Sequence, residues 1–198
     1  MNALYACELI ARQRGNAILV ATMRSMRIFD QLQVQQPRVS SVPLMGAAAS
    51  LGLGLALSQP RHRVIVVDGD ASLLMQLGGL VTVSERRPAN LVHFVVHNGT
   101  QFTGGANLKT PGESVVDFVG MARCAGYVRA ETFSDEETLA SNIADILSSC
   151  GPTFVELRVE AEDSTYSFDA PQREMPDLQF RRMGEESRAL KNWLKEHQ

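Results

Sequence analysis

From Arg63 to Val159 the chain alternates between short apolar runs and longer segments with helical spacing. The runs are "RVIVVD" (63–68), "LVHFVVH" (91–97), "YVRAET" (127–132) and "TFVELRV" (153–159). Helical patterns fill 71–84, 114–125 and 135–149, with a loop at 98–112. Most of these runs lack the alternation of polar and apolar residues that a half-exposed strand shows, so they read as strands buried on both faces. Strands joined by helices run parallel, because a parallel neighbour needs a long crossover connection. The expected fold class is therefore α/β, a doubly wound parallel sheet with helices on both faces.

The first sixty residues extend the same pattern. Leu4, Cys7, Ile10 and Ala11 share one face of a helix over 3–14, and "AILVAT" (17–22) reads as another short buried strand. A turn and helix follow near 25–34 and stop before Pro37. "PLMGAAASLGLGLALSQ" (43–59) reads as a helix rich in small residues. Its Gly46, Gly52 and Gly54 weaken it, which is tolerable only where something must approach its backbone closely. Beyond Glu160 the chain becomes polar and irregular, then ends in an amphipathic helix over 184–197 with Leu190, Trp193 and Leu194 on one face. Residues 1–160 are expected to form one domain, and 161–198 an arm and helix belonging to it.

Bulk properties remove several function classes. The chain has 198 residues, 44% of them hydrophobic, and a net charge of −3, which gives no footprint for nucleic acid. The adjacent basic pairs Arg86-Arg87 and Arg181-Arg182 read as solvated surface. Cys7, Cys124 and Cys150 are widely spaced and form no CxxC pair, so they read as buried thiols rather than ligands of zinc or an iron–sulfur cluster. The N-terminus lacks the charged-then-apolar order of a signal peptide, and "LMGAAASLGLGLAL" (44–57) is too short to span a bilayer. A cytoplasmic location is expected.

Two of the strands end on short polar groups, Asp68-Gly69-Asp70 and His97-Asn98-Gly99. Ligands of open parallel sheets bind at the carboxyl ends of the strands. The Asp70 carboxylate and the Asn98 amide oxygen are hard donors that suit Mg²⁺ or Ca²⁺ rather than zinc. Ala71 and Ser72 begin the following helix, whose free N–H groups attract phosphate, and Gly69 permits a tight turn. Taken singly, Asp70 is equally a helix N-cap and "HNG" a turn signal. Together they describe a metal–diphosphate site.

Gly69-Asp70-Ala71-Ser72 followed by His97-Asn98 resembles the GDG(S)…NN signature of thiamine diphosphate enzymes. The segments "ILVATMRSMRIFDQL" and "LMGAAASLGLGLALSQ…TQFTGG" are similar to the cofactor domain of sulfopyruvate and phosphonopyruvate decarboxylases, closest to the beta subunit of the former and the C-terminal domain of the latter. The resemblance implies that Asp70, Asn98 and the backbone carbonyl of Thr100 hold Mg²⁺, and that Gly69, Ala71 and Ser72 meet the diphosphate of thiamine diphosphate. It places Thr22 and Ser25 at further phosphate contacts. It makes Met45, with Gly46, the apolar wedge that bends the cofactor, and turns the carbonyl of Pro43 toward the 4′-amino group.

The sequence departs from the family's pattern at three points. Ala71 replaces the third glycine, and His97 replaces the first asparagine. Met23-Arg24 stand where the family tends to have Thr-Gly, which makes Arg24 and Arg27 candidate anion binders. "TQFTGGANLKTP" (100–111) is a long loop of the kind that closes over a site.

Thiamine chemistry needs an acid near the pyrimidine N1′, which in this family is a glutamate on a separate pyrimidine-binding domain. No glutamate of this chain stands in a matching context. The resemblance therefore implies a beta-type subunit, inactive alone, of a decarboxylase acting on a small, anionic 2-oxo acid. A partner alpha-type subunit would supply the pyrimidine domain and the glutamate in an α2β2 or larger hetero-oligomer. Alternative readings are a non-catalytic, regulatory thiamine diphosphate-binding module and the small subunit of a related carboligase or synthase. The Gly78-Gly79 pair permits close helix approach, at such an interface or inside the domain.

Overall fold

The computed structural model describes residues 1–42, 44–103, 106–161 and 176–197. The elements follow in order: α1 (Ala3–Gln13), β1 (Ile18–Ala21), α2 (Met23–Gln31), β2 (Arg38–Ser40), α3 (Ala48–Ser58), β3 (Val64–Gly69), α4 (Asp70–Met75) and α5 (Gly78–Arg86). Then come β4 (Leu91–His97), β5 (Thr100–Thr103), β6 (Ala106–Lys109), α6 (Phe118–Ala125), β7 (Arg129–Phe133), α7 (Glu136–Ser148), β8 (Thr153–Arg158) and α8 (Pro176–Glu196). Six strands form one parallel sheet in the order β2-β1-β3-β4-β8-β7. The doubly wound α/β expectation holds.

Each central strand feeds two cores, which is why its apolar run is continuous. On β3, Ile65 and Val67 face one layer while Val64 and Val66 face the other. The first layer holds Ile10 of α1, Phe29 of α2 and Ile143 of α7. The second holds Leu53 of α3, Leu80 of α5, Phe118 of α6 and Leu190 of α8. Gly52 is where α3 needs its glycine, because a Cβ there would overlap Cγ2 of Val66. Gly54 faces open space and has no such role. Gly79 is buried and a Cβ on it would lie 4.0 Å from Cβ of Ala49, so that close helix contact is internal, whereas Gly78 is exposed.

Several expectations are corrected. β2 is a further strand, only three residues long, and its Arg38 is buried. α2 begins at Met23, two residues early. The 43–59 helix starts only at Ala48, because Gly46 adopts φ +82° in a preceding turn. The single helix expected over 71–84 is two, broken at Gln76-Leu77. The 98–112 loop contains an antiparallel hairpin of β5 and β6. α6 starts at Phe118, where Asp117 caps it by accepting from the Gly120 N–H at 2.8 Å. The last helix starts at Pro176, and the polar stretch 162–175 lies outside the described residues.

The thiols divide: Cys7 is buried, and burial pushes it up to about 12, but Cys124 and Cys150 are exposed. Arg182 is not simply solvated. It forms a bidentate pair with Asp30 at 2.6 and 2.7 Å, while Glu186 accepts the Ser40 N–H of β2 at 2.6 Å. These contacts dock α8 on the edge of the sheet and cover it. Among the described residues no helix is long and apolar enough to cross a membrane.

Candidate functional site

From β1 the chain moves outward to β2, and from β3 it moves the opposite way to β4, so the crevice at the carboxyl ends of β1 and β3 is the topological switch point. Several of the expected site residues lie along this edge. Asp70 follows β3 and is 2% exposed. Its Oδ1 accepts from the N–H of Ala71 at 2.8 Å, and its Oδ2 accepts from the N–H of Gly99 at 2.8 Å. The second bond crosses to the segment after β4 and joins the two strand ends in one structure. Gly99 has φ +67°, and a side chain there would collide with Cγ of Glu113.

Burial raises the Asp70 carboxyl above its ordinary range, while the N–H groups of Ala71 and Gly99 and the nearby His97 oppose that rise. A desolvated carboxylate held by backbone donors is a strong partner for a small hard cation. Next to it, Asn98 Oδ1 accepts from the Thr100 N–H at 3.0 Å, which orients the amide oxygen. The hydroxyl of Thr100 is buried and has no hydrogen-bond partner. Among the described residues no group of three or more His, Cys, Asp and Glu side chains forms a metal cluster. A single carboxylate with amide and carbonyl oxygens on the neighbouring segment would suit Mg²⁺, which takes few protein ligands when phosphate and water complete its shell.

The small-residue turn lies over this edge. Gly46 donates its N–H to Ser72 Oγ at 2.9 Å. A Cβ on Gly46 would sit 3.0 Å from Cβ of Gln76, so both its positive φ and its packing on α4 require glycine. Met45 beside it is half-buried. Pro43 lies outside the described residues. α4, which starts at Asp70, has only six residues, so its free N–H groups matter more there than any long dipole.

After β1, Thr22 and Ser25 are buried and face inward. Thr22 Oγ1 donates to the Ser41 carbonyl at 3.1 Å, and Ser25 Oγ lies 2.7 Å from the carbonyl of Thr22 and 2.8 Å from that of Val67. Both hydroxyls therefore tie β1 to its neighbouring strands. Met23 adopts φ +49°, a conformation that favours glycine and costs a methionine about 1–2 kcal/mol. Arg24 and Arg27 are half-buried, and burial lowers the pKa of Arg24. The expected lid is the β5–β6 hairpin, closed at its base by the Thr110 N–H to the Gly99 carbonyl at 2.8 Å.

One functional group was not foreseen. Glu156 of β8 is 1% exposed and accepts at 2.6 Å from His97 Nδ1 and at 2.6 Å from Thr132 Oγ1. Burial alone would raise its carboxyl, but the hydrogen bonds from His97 and Thr132 and the charge of Arg158 hold it below the usual range. The available signal was a glutamate inside the apolar run "TFVELRV".

The family described as "Thiamine pyrophosphate enzyme, C-terminal TPP binding domain" matches residues 20–157, and the chain belongs to that family. Phosphonopyruvate decarboxylase of Streptomyces viridochromogenes is 39% identical over 147 residues, 74% of this chain and 36% of that protein. The sulfopyruvate decarboxylase subunit beta of Methanothermobacter thermautotrophicus is 40% identical over 116 residues, 59% of this chain and 58% of its own length. The chain thus spans about a third of the Streptomyces protein and somewhat over half of the archaeal subunit. The thiamine diphosphate-dependent 4-hydroxybenzoylformate decarboxylase of Rhodococcus jostii RHA1 superposes with a TM-score of 0.68 at 21% identity, covering 83% of this chain and 33% of that one. That likeness bears out the fold.

Proposed function

We propose that this chain is the beta-type subunit of a thiamine diphosphate- and Mg²⁺-dependent 2-oxo acid decarboxylase of the sulfopyruvate or phosphonopyruvate kind. The observation that carries the reading is the bond from the Gly99 N–H to Asp70 Oδ2, which makes one site of two segments that the family signature links. In this reading Asp70, Asn98 and the carbonyl of Thr100 hold Mg²⁺. Gly69, Ala71 and Ser72 meet the diphosphate, and Thr22 and Ser25 shape the turn that faces it. Met45 and Gly46 would support the cofactor from the turn that packs on α4.

The bound cofactor supplies an electron sink for loss of CO₂ from a 2-oxo acid. The chain's own residues grip the unreactive diphosphate end, hold it at a fixed depth and keep water from the buried Asp70. A partner alpha-type subunit supplies the pyrimidine domain and the glutamate that activates the reactive end. Support for a split enzyme comes from the archaeal relatives, which are named as beta subunits.

The test is coexpression with the candidate partner, followed by CO₂ release from 2-oxo acids that carry a sulfonate or phosphonate. Asp70→Ala is expected to weaken Mg²⁺-dependent thiamine diphosphate binding by more than roughly 100-fold, beyond what supporting residues cost. Calorimetry showing unchanged affinity in the assembled complex refutes the metal assignment. A copurifying partner without a pyrimidine domain refutes the split enzyme.

A further inference from the structure

Behind Asp70 lies a polar row that the diphosphate grip does not use. It runs from Thr132 on β7 through Glu156 on β8 to His97 at the end of β4. Thr132 Oγ1 donates to Glu156 Oε2 at 2.6 Å, and His97 Nδ1 meets Glu156 Oε1 at 2.6 Å. A contact that short to a carboxylate assigns the Nδ1 proton to the bond with Glu156. The other ring nitrogen, Nε2, lies 3.9 Å from Asp70 Oδ2, the oxygen that accepts from Gly99. Phe118 holds the imidazole edge-on, with ring centroids 5.1 Å apart at 86°.

The bland account is a buried polar pair that fills the sheet. Two considerations weigh against it. A buried polar pair is a poor source of stability compared with apolar residues of the same volume. The row also ends on an oxygen of the expected metal ligand, and its arrangement, a carboxylate fixing a histidine beside a ligand, is how outer-shell groups orient metal sites. An asparagine at position 97, as the family signature has it, is shorter than histidine and has no ring to hold against Asp70 while it bonds Glu156.

We propose that Glu156 and His97 act as a positioning pair, with Glu156 fixing the imidazole and the imidazole, packed 3.9 Å from Oδ2, confining the Asp70 carboxylate to the orientation that faces Mg²⁺ and the diphosphate. This rests on the reading of Asp70 as a metal ligand. Among the described residues Glu156 meets His97, Thr132 and, at 3.4 Å, Arg158, and of these His97 is the one set against Asp70, so its effect on Asp70 passes through His97.

The experiment measures thiamine diphosphate affinity at saturating Mg²⁺ in the assembled complex, together with the unfolding midpoint of each variant without cofactor. Glu156→Gln and His97→Asn are each expected to lower affinity by about 10–100-fold. The double variant is expected to be no weaker than the weaker single variant, because both changes break one route. Should Glu156→Gln fail to fold, Thr132→Val loosens the same carboxylate and takes its place in the cycle. Losses that multiply in the double variant overturn the proposal. So does unchanged affinity in either single variant, or a loss no larger than a change in unfolding midpoint explains. Asp70→Ala is the control: if it binds cofactor as the wild type does, the metal assignment itself has failed. If it loses binding while the pair variants keep theirs, only the positioning role has failed.

Discussion

Gly52 and Gly54 lie on the same helix two residues apart, and the structure gives them opposite surroundings. Replacing either with alanine gains about 1 kcal/mol of helix propensity. At Gly54 nothing lies within 4 Å of the new methyl group, so Gly54→Ala keeps that gain. At Gly52 the methyl group overlaps Cγ2 of Val66 and lies 3.5 Å from Cδ1 of Leu91. Both neighbours are fully buried, and a β-branched valine has few rotamers into which to retreat. Overpacking of this kind costs about 1–3 kcal/mol. The two variants should therefore differ in stability by about 1–3 kcal/mol, with Gly54→Ala above the wild type and Gly52→Ala level with or below it. At about 2–4 °C per kcal/mol for a chain this size, the unfolding midpoints separate by roughly 2–12 °C. Urea titration of both variants measures the gap, and equal midpoints would refute close approach of α3 to β3 as the reason for Gly52.

Arg87 closes α5 at φ 46° with an exposed side chain, so Arg87→Gly should stabilise by about 0.5–1 kcal/mol, read by thermal unfolding. Tyr127 OH meets the fully buried His93 Nδ1 at 3.2 Å, and Tyr127→Phe should cost about 1–3 kcal/mol by leaving that nitrogen without a partner. Burial would raise the Asp30 carboxyl, but Arg182 and Arg38 outweigh it and hold the group below its ordinary value. A lowered carboxyl pKa contributes stability above the unfolded value, near about 3.9, and loses it as the pH falls through the folded value. Arg182→Ala should therefore lower the unfolding midpoint at neutral pH, and the difference from wild type should shrink as the pH falls through the lowered folded-state value of Asp30.

The strands most legible in the sequence are those whose two faces feed two cores. β3 and β4 show continuous apolar runs because Ile65 and Val66, or Phe94 and Val95, serve opposite layers. β2 has no such run. It is short, and its buried Arg38 is neutralised by Asp30 at 2.8 Å and by the Val34 carbonyl at 3.2 Å, contacts that no local pattern announces. The break between α4 and α5 was hidden for the opposite reason, since Leu73, Leu77 and Leu80 keep a helical spacing across it. The exposure of Cys124 and Cys150 likewise depends on which face the tertiary contacts leave open.

The site divides along the same line. Asp70 and Asn98 could be paired from the sequence because each closes a strand, and adjacent strands bring their ends together. Glu156 could not, since its partners are set by register rather than by spacing. Thr132 lies directly opposite Glu156 across β7 and β8, and Val95 lies opposite it across β4. His97 is two residues beyond Val95 and so projects from the same face, one step nearer the carboxyl edge. A slip of one residue between β4 and β8 would turn Glu156 to the other layer and leave a buried carboxylate among apolar side chains. The pairing of Glu156 with His97 therefore penalises misregister between β8 and β4, the strand whose end carries Asn98.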